Sequence, residues 1–295
     1  MTLLAALTGA VLISFSAIFF ALSGADPITG TFFRGLYALP VLAIIWWVGR
    51  GSDDRSGRRR WMAIAAGLAL GLDVVAWHSA IGHIGAGLAT LIANSQVIFV
   101  SVTAWIFLKE RPSNKVLVAI PVILAGVALV SGIGQDDAFG SNPILGAGLA
   151  IVAAIFYSAF ILGYRQANES KAPPAGPLLE ATLGLVLITP LVGAFGSGVD
   201  LAPSLPTHGW LVALALSSQV VGWMLIGYAL PRLPAAETAT IILLQPALTL
   251  IWGAVILGER PSPLQLVGAA VVLGGVGFVA LTRSRKLEAA AARTR

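Results

Sequence analysis

Residues 108–118 read LKERPSNKVLV, and residues 257–267 read LGERPSPLQLV, 149 positions later. The agreement runs past these stretches. Leu124, Gly126-Val127 and Val130 return as Leu273, Gly275-Val276 and Val279, while Trp61, Ala80 and Gln96 fall in the same register as Trp210, Ala229 and Gln245. Compositional likeness alone does not keep a charged Glu-Arg-Pro-Ser tetrapeptide in step, so the chain reads as a duplication.

What surrounds the two turns decides the solvent. Of 295 residues, 57% are hydrophobic and only 11% charged, with a mean hydropathy of +0.90. That is too much apolar surface for one water-soluble core. A spanning helix takes about 20 apolar residues, and ten such stretches are present, at 3–22, 31–48, 61–81, 86–108, 115–133, 143–164, 176–196, 209–230, 236–257 and 263–282. The expected fold is an all-α integral membrane protein of ten transmembrane helices arranged as two inverted five-helix repeats. The repeats take residues 1–138 and 139–286, and 287–295 form a C-terminal tail. Five is an odd number, so the second copy enters the membrane upside down relative to the first. Related halves of opposite orientation can exchange conformations and open a midplane site to each side in turn, which is the architecture of secondary transporters.

The cations set the orientation. With the N-terminus in the cytoplasm, Arg50, Arg55, Arg58 to Arg60, Lys109, Arg111, Lys115, Arg165, Lys171, Arg232 and the C-terminal basic residues all lie on the cytoplasmic side, leaving Arg34 and Arg260 outside. Both termini are then cytoplasmic. The first apolar stretch lacks a basic leading region and meets Asp26-Pro27 in place of a cleavage signal, so it reads as a retained helix. The formal charge of +5 reports this topology and no nucleic-acid partner. No cysteine is present, which excludes disulfides and thiolate chemistry.

At the two Glu-Arg-Pro-Ser turns, with the alanine-rich helices before them and the Gly-Val pattern after, the chain resembles the drug/metabolite transporter superfamily, specifically its EamA-type ten-helix exporters. The blocks Ala86 to Val130 and Ala235 to Val279 carry the resemblance. The second is nearer the family pattern, with Gln245-Pro246 and Gly258-Glu259-Arg260. The first has Gln96-Val97 and Lys109 where the family has proline and glycine. The aromatic belt and Trp-rich helices are similar to those of YddG-type aromatic amino acid exporters. The resemblance implies a bacterial inner-membrane exporter with a central cavity lined by the first, third, fourth, sixth, eighth and ninth helices.

Polar groups within apolar helices need partners or water, so they mark candidate sites. Asn94, Ile98, Ser101 and Trp105 share one helical face, as do Gln245, Thr249 and Trp252. Asp73 with Trp77 and Gln219 with Trp223 repeat a polar residue followed by Trp at i, i+4. The expected substrate-binding set is Trp77, Asn94, Ser101, Tyr157, Gln219, Trp223 and Gln245, with Ser14 and Ser16 as further polar candidates. Asp73 is the coupling residue that a proton-driven transporter needs. Against this stand interhelical hydrogen bonding for Asn and Gln and interfacial anchoring for tryptophan, which is the reading for Trp46, Trp47, Trp61 and Trp210. His78 reads as a satisfied helix-end residue. Glu110 and Glu259 read as partners of neighbouring arginines, and Ser262-Pro263 as a helix start.

No zinc-binding His motif or paired mid-helix carboxylate argues for an intramembrane enzyme, no metal or cofactor is implied, and no phosphate-binding GxxxxGK[ST] loop supplies ATP hydrolysis. The expected activity is export of small metabolites, with aromatic or other apolar amino acids foremost. A lipid or lipid-linked metabolite flippase on the same fold is the alternative. The expected partners are a small-molecule substrate and the lipid bilayer, with no ATPase subunit and a monomer sufficient.

Overall fold

The computed structural model describes residues 1–109, 111–167, 173–229, 232–233 and 235–293. Side chains at 107, 108, 235–240, 242 and 282–293 are outside that description. Every regular element among the described residues is helical: α1 (Thr2–Ser14), α2 (Ser16–Ser23), α3 (Pro27–Gly49), α4 (Gly57–Ile84), α5 (Ala86–Ala93), α6 (Gln96–Leu108), α7 (Asn114–Val130), α8 (Pro143–Ala167) and α9 (Ala175–Gly193). Then come α10 (Leu205–Leu214), a π-helical segment (Ala215–Gly222), α11 (Trp223–Ala229), α12 (Ala235–Ile256) and α13 (Pro263–Arg293). The helix of α13 runs into the stretch expected to be a tail.

Eight helical runs among the described residues are long and apolar enough to cross a bilayer, and two shorter apolar helices, Asn114–Val130 and Leu243–Ile256, complete the set. At 1.5 Å per residue the 17 residues of α7 reach about 25 Å, short of a hydrocarbon core of about 30 Å. This is a multi-pass membrane protein.

Several of the expected helices are interrupted. The first span bends at Phe15 between α1 and α2. There Ser218 Oγ donates to the Leu12 carbonyl at 2.9 Å, and Thr249 Oγ1, 2.9 Å from the Gln245 carbonyl of its own helix, lies 3.0 Å from that of Ser14. The fourth span breaks at Asn94-Ser95, where the Asn94 amide is shared between the Thr90 and Leu91 carbonyls and that of Ser95 turns to Ile92, i→i−3. The eighth carries the π segment. Helix starts come earlier than hydropathy suggests where caps exist. The Asp26 carboxylate accepts from the Ile28 and Thr29 amides at 3.0 Å each, with Pro27 as first residue, so α3 begins a turn ahead of the apolar run.

α4 packs against α8 and α9, α3 against α9, α5 against α12, α7 against α13, and α1 against α12, the π segment and α11. The α4–α9 contact is backbone to backbone. A Cβ on Gly67 would stand 2.0 Å from the Ala181 carbonyl oxygen, and one on Gly184 would stand 2.1 Å from that of Ile64. Small residues allow such approach where lipid gives no hydrophobic drive to association. At the centre sits α5, buried from Ala86 through Ile92.

Ser262 starts α13 with a reciprocal capping box. Gln265 N donates to Ser262 Oγ at 3.2 Å, and Ser262 N donates to Gln265 Oε1 at 2.9 Å. Among the described residues Glu259 does not pair with arginine. Its carboxylate accepts from the Ala86 amide and, at 3.0 Å, from the Gly87 amide, closing the N-terminus of α5. Glu110, its repeat counterpart, lies outside the described residues.

Candidate functional site

The Asp26 cap that lengthens α3 also moves Arg34. The cap sets Arg34 seven residues past Pro27, roughly 10 Å into the helix, and the residue is 5% exposed. It is therefore an interior cation, not one on the outer face as charge counting placed it. A guanidinium in this setting requires partners. Its Nε donates to Gln219 Oε1 at 2.9 Å and its Nη1 to Ser16 Oγ at 3.0 Å, while its carbon stands 6.0 Å from the Trp77 ring centroid.

Gln219 is wholly buried in the π segment and turns its oxygen to Arg34, because a guanidinium only donates. Its amide nitrogen donates to Thr182 Oγ1 on α9 at 3.1 Å. The π segment, a form frequent at functional sites, thus ties α3 to α9 through one side chain. Asp73 stands one helical turn before Trp77 on α4, the helix whose Trp77 ring faces Arg34. Arg34 and Asp73 make no direct ion pair among the described residues.

Aromatic rings wall this polar group. Tyr157 lies 5.5 Å from Phe160 and 6.5 Å from Trp223, and Phe160 meets Trp223 edge-on at 5.8 Å. Trp77 sits beside His78, which stacks on Phe20 at 3.7 Å. Thr31 Oγ1 donates its one proton to the Pro27 carbonyl at 2.7 Å, so His78 Nδ1 must be the donor in the 3.0 Å contact between them. Nε2 of His78 is then the bare nitrogen, sealed and without a partner among the described residues. His78 is half satisfied, not the fully satisfied helix-end residue expected.

Of the expected site residues, Gln219 and Trp77 meet Arg34, Asp73 lies one turn from Trp77 on α4, and Tyr157 and Trp223 lie against each other. Asn94 and Ser101 turn their donors back on their own helix, to the Thr90 and Val97 carbonyls, each at 2.8 Å. The break at Asn94-Ser95 also dissolves the face expected to run through them: Ile98 is buried while Trp105 is 42% exposed. Gln245 carries no side-chain hydrogen bond among the described residues. Its helical neighbours Thr249 and Trp252 dock on α1, with Trp252 Nε1 donating to Ser14 Oγ at 3.1 Å. Sequence reasoning missed Arg34, although Asp26-Pro27 is a legible N-cap and first-residue pair that puts it inside the helix. No cluster of three metal-ligating side chains occurs among the described residues.

The EamA-like transporter family matches residues 1–132 and 144–281. The "Probable terminal-alkyne amino-acid exporter" of Streptantibioticus cattleyicolor is 28% identical over 67% of this chain and 65% of its own length. The "Uncharacterized transporter YcbK" of Bacillus subtilis is 25% identical over 87% of this chain and 83% of its own. The "Threonine/homoserine exporter RhtA" of Escherichia coli K12 is 26% identical over 60% of this chain and 58% of its own. A solved crystal structure at 18% identity superposes with a TM-score of 0.64, covering 97% of this chain and 98% of the other, a likeness of fold. The chain belongs to the EamA-like transporter family.

Proposed function

We propose that the chain is a secondary transporter exporting small metabolites, amino acids with aromatic or other apolar side chains foremost, across a bacterial inner membrane, and that it is not an enzyme. The observation that carries this reading is the Arg34–Gln219–Thr182 chain of hydrogen bonds beside Asp73 and an aromatic wall, deep among apolar helices. Intramembrane polar groups that are not needed for packing mark substrate pathways. Relatives with named cargo are amino-acid exporters.

Alternating access of ten helices, in inverted repeats spanning 1–138 and 139–286, is the proposed mechanism. It is supported by the family's match to two segments and by the packing. In the 149-residue register, α4 on α8 corresponds to the π segment and α11 on α1, and α4 on α9 corresponds to the π segment on α3. The pairs α3–α9, α5–α12 and α7–α13 each join a helix to its own counterpart. The clustered cations support a cytoplasmic location for both termini. A cysteine beside Glu110 is then labelled by an impermeant thiol reagent only from the inside, and one beside Glu259 only from the outside. Labelling of both from one face overturns the inverted arrangement. Asp73 is the proposed proton-coupling group.

The pocket is tested by export of radiolabelled phenylalanine from cells. Losing an aromatic contact costs about 0.5–1.5 kcal/mol beyond the area buried, so Trp223→Ala raises the half-saturating concentration about tenfold with normal protein levels. Export at the wild-type rate would return Trp223 to packing.

A further inference from the structure

Two opposite charges in a low-dielectric interior should close into contact, because each costs several kcal/mol to desolvate and only a partner offsets it. Arg34 and Asp73 do not close. Arg34 is instead anchored from behind: Gln219 holds Nε at 2.9 Å and Ser16 holds Nη1 at 3.0 Å, which leaves Nη2 without a partner among the described residues. Asp73 accepts no hydrogen bond among them either. Neither group is among the sealed, unpartnered side-chain atoms, which are those of His78, His83, Thr90 and Ser113. Both therefore keep a small accessible surface, at 5% and 7% exposed. The Tyr157 hydroxyl and the Trp77 and Trp223 indole nitrogens share the condition of an unpartnered but unsealed polar atom.

We infer that Arg34 and Asp73 form a two-point receptor for the zwitterionic head of an α-amino acid, Arg34 taking the carboxylate and Asp73 the ammonium. The inference rests on the exporter reading and names the head group that the site selects. Guanidinium and carboxylate match by charge-assisted hydrogen bonds from the free edge of the fork, and holding Nε and Nη1 fixes where that edge points. A head whose ammonium and carboxylate hang from one carbon pairs with both and leaves neither Arg34 nor Asp73 unpaired. An amine leaves Arg34 unpaired. A monocarboxylate leaves Asp73 unpaired, and a phosphate is repelled by it. Discrimination of this kind is steep because the rejected ligand strands a buried polar group. The rings of Trp77, Tyr157 and Trp223 then meet the ligand's side chain.

The test is binding of L-phenylalanine, phenethylamine and 3-phenylpropionate to the purified full-length protein in lipid nanodiscs. The three share a ring and differ in the head group. The wild type is expected to prefer phenylalanine to either analogue by at least about tenfold, 1.4 kcal/mol. Arg34→Gln cuts the preference over phenethylamine to below threefold, Asp73→Asn does the same against phenylpropionate, and Arg34→Lys, which keeps the charge without the fork, falls between. Equal wild-type affinity for phenylalanine and phenethylamine overturns the receptor without recourse to any variant, as does a tenfold preference that survives Arg34→Gln; the exporter reading stands in both cases. Wild-type protein that binds none of the three takes down both.

Discussion

Arg55→Leu is expected to lower the thermal midpoint of the purified protein by on the order of 10 °C at neutral pH. The Arg55 side chain is sealed from solvent, and its single guanidinium serves two carboxylates. Nε and Nη2 donate to the two oxygens of Asp53 at 2.8 and 2.9 Å, while Nη1 and, at 3.0 Å, Nη2 donate to those of Glu180 on α9. Asp53 also accepts from Trp46 Nε1 at 3.0 Å. Leucine would leave the sealed Asp53 carboxylate facing that of the partly exposed Glu180, with the half-exposed Arg60 at 3.5 Å from Asp53 and 4.0 Å from Glu180. Breaking a buried pair by removing one partner costs about 3–5 kcal/mol, and each kcal/mol moves the midpoint by about 2–4 °C in a chain of this size class. Arg55→Lys recovers only part of this, because an ammonium cannot fork to two carboxylates.

Acid narrows the difference. The Arg55 hydrogen bond, foremost, holds the Asp53 carboxyl down at about 2 against burial, with Trp46 and the Arg55 charge acting the same way. Its unfolded value is near 3.9. A depressed folded value contributes stability that is complete above the unfolded value and is lost as pH falls through the folded one. The gap between wild type and Arg55→Leu should therefore be constant from about pH 5 to 8 and shrink from about pH 4 toward 2. Equal midpoints at pH 7 would show that the cluster is not what seats the α3–α4 turn on α9.

The locations of the spans were legible because an apolar run of bilayer length has few alternative readings. Their ends were legible only through caps. Ser56 begins α4 at Gly57, four residues ahead of the apolar run and directly into Arg58 to Arg60. The breaks at Phe15 and Asn94-Ser95 and the π segment carried no comparable signal. At Phe15 the hydroxyls that reach the bend, those of Ser218 and Thr249, are 206 and 235 residues away from the carbonyls they approach. The same distance hid the centre of the site. The spacing of Asp73 with Trp77 and of Gln219 with Trp223 pointed to the right faces, yet the group joining them, Arg34, bonds across 185 residues. Read by charge alone, an arginine near a helix start counts as a loop cation, and only its cap shows how far inside it lies. Where a one-faced stripe was assumed over a helix that breaks, as from Asn94 to Trp105, periodicity was carried across a point where the backbone resets it.

Glu259→Ala is expected to cost stability and transport together, because the carboxylate closes a helix that has no water to turn to. The first amides of any helix lack internal partners, and those of α5 lie in the centre of the protein, with every residue from Ala86 to Ile92 buried. Glu259 meets two of them, Ala86 and Gly87, and adds a negative charge where the helix dipole favours one. The space is made by glycine. A Cβ on Gly253 would come within 2.3 Å of one carboxylate oxygen and a Cβ on Gly85 within 2.8 Å of the other, and Gly85 also holds φ +87°. With alanine at 259, two buried donors go unpaired at about 1–3 kcal/mol each. Glutamine is no conservative replacement. It offers one acceptor oxygen and turns its NH2 toward the second backbone N–H, donor against donor, so its midpoint should fall between those of wild type and Glu259→Ala. Aspartate, one methylene shorter, should behave nearer to alanine. Midpoints in detergent and phenylalanine export in cells, measured on the same three variants, should rank in one order if the cap holds the N-terminal half of the fourth span in place. A Glu259→Ala protein with the wild-type midpoint would show that α5 is held by its packing alone. A loss of export with an unchanged midpoint would make Glu259 a part of the transport cycle, not of the scaffold.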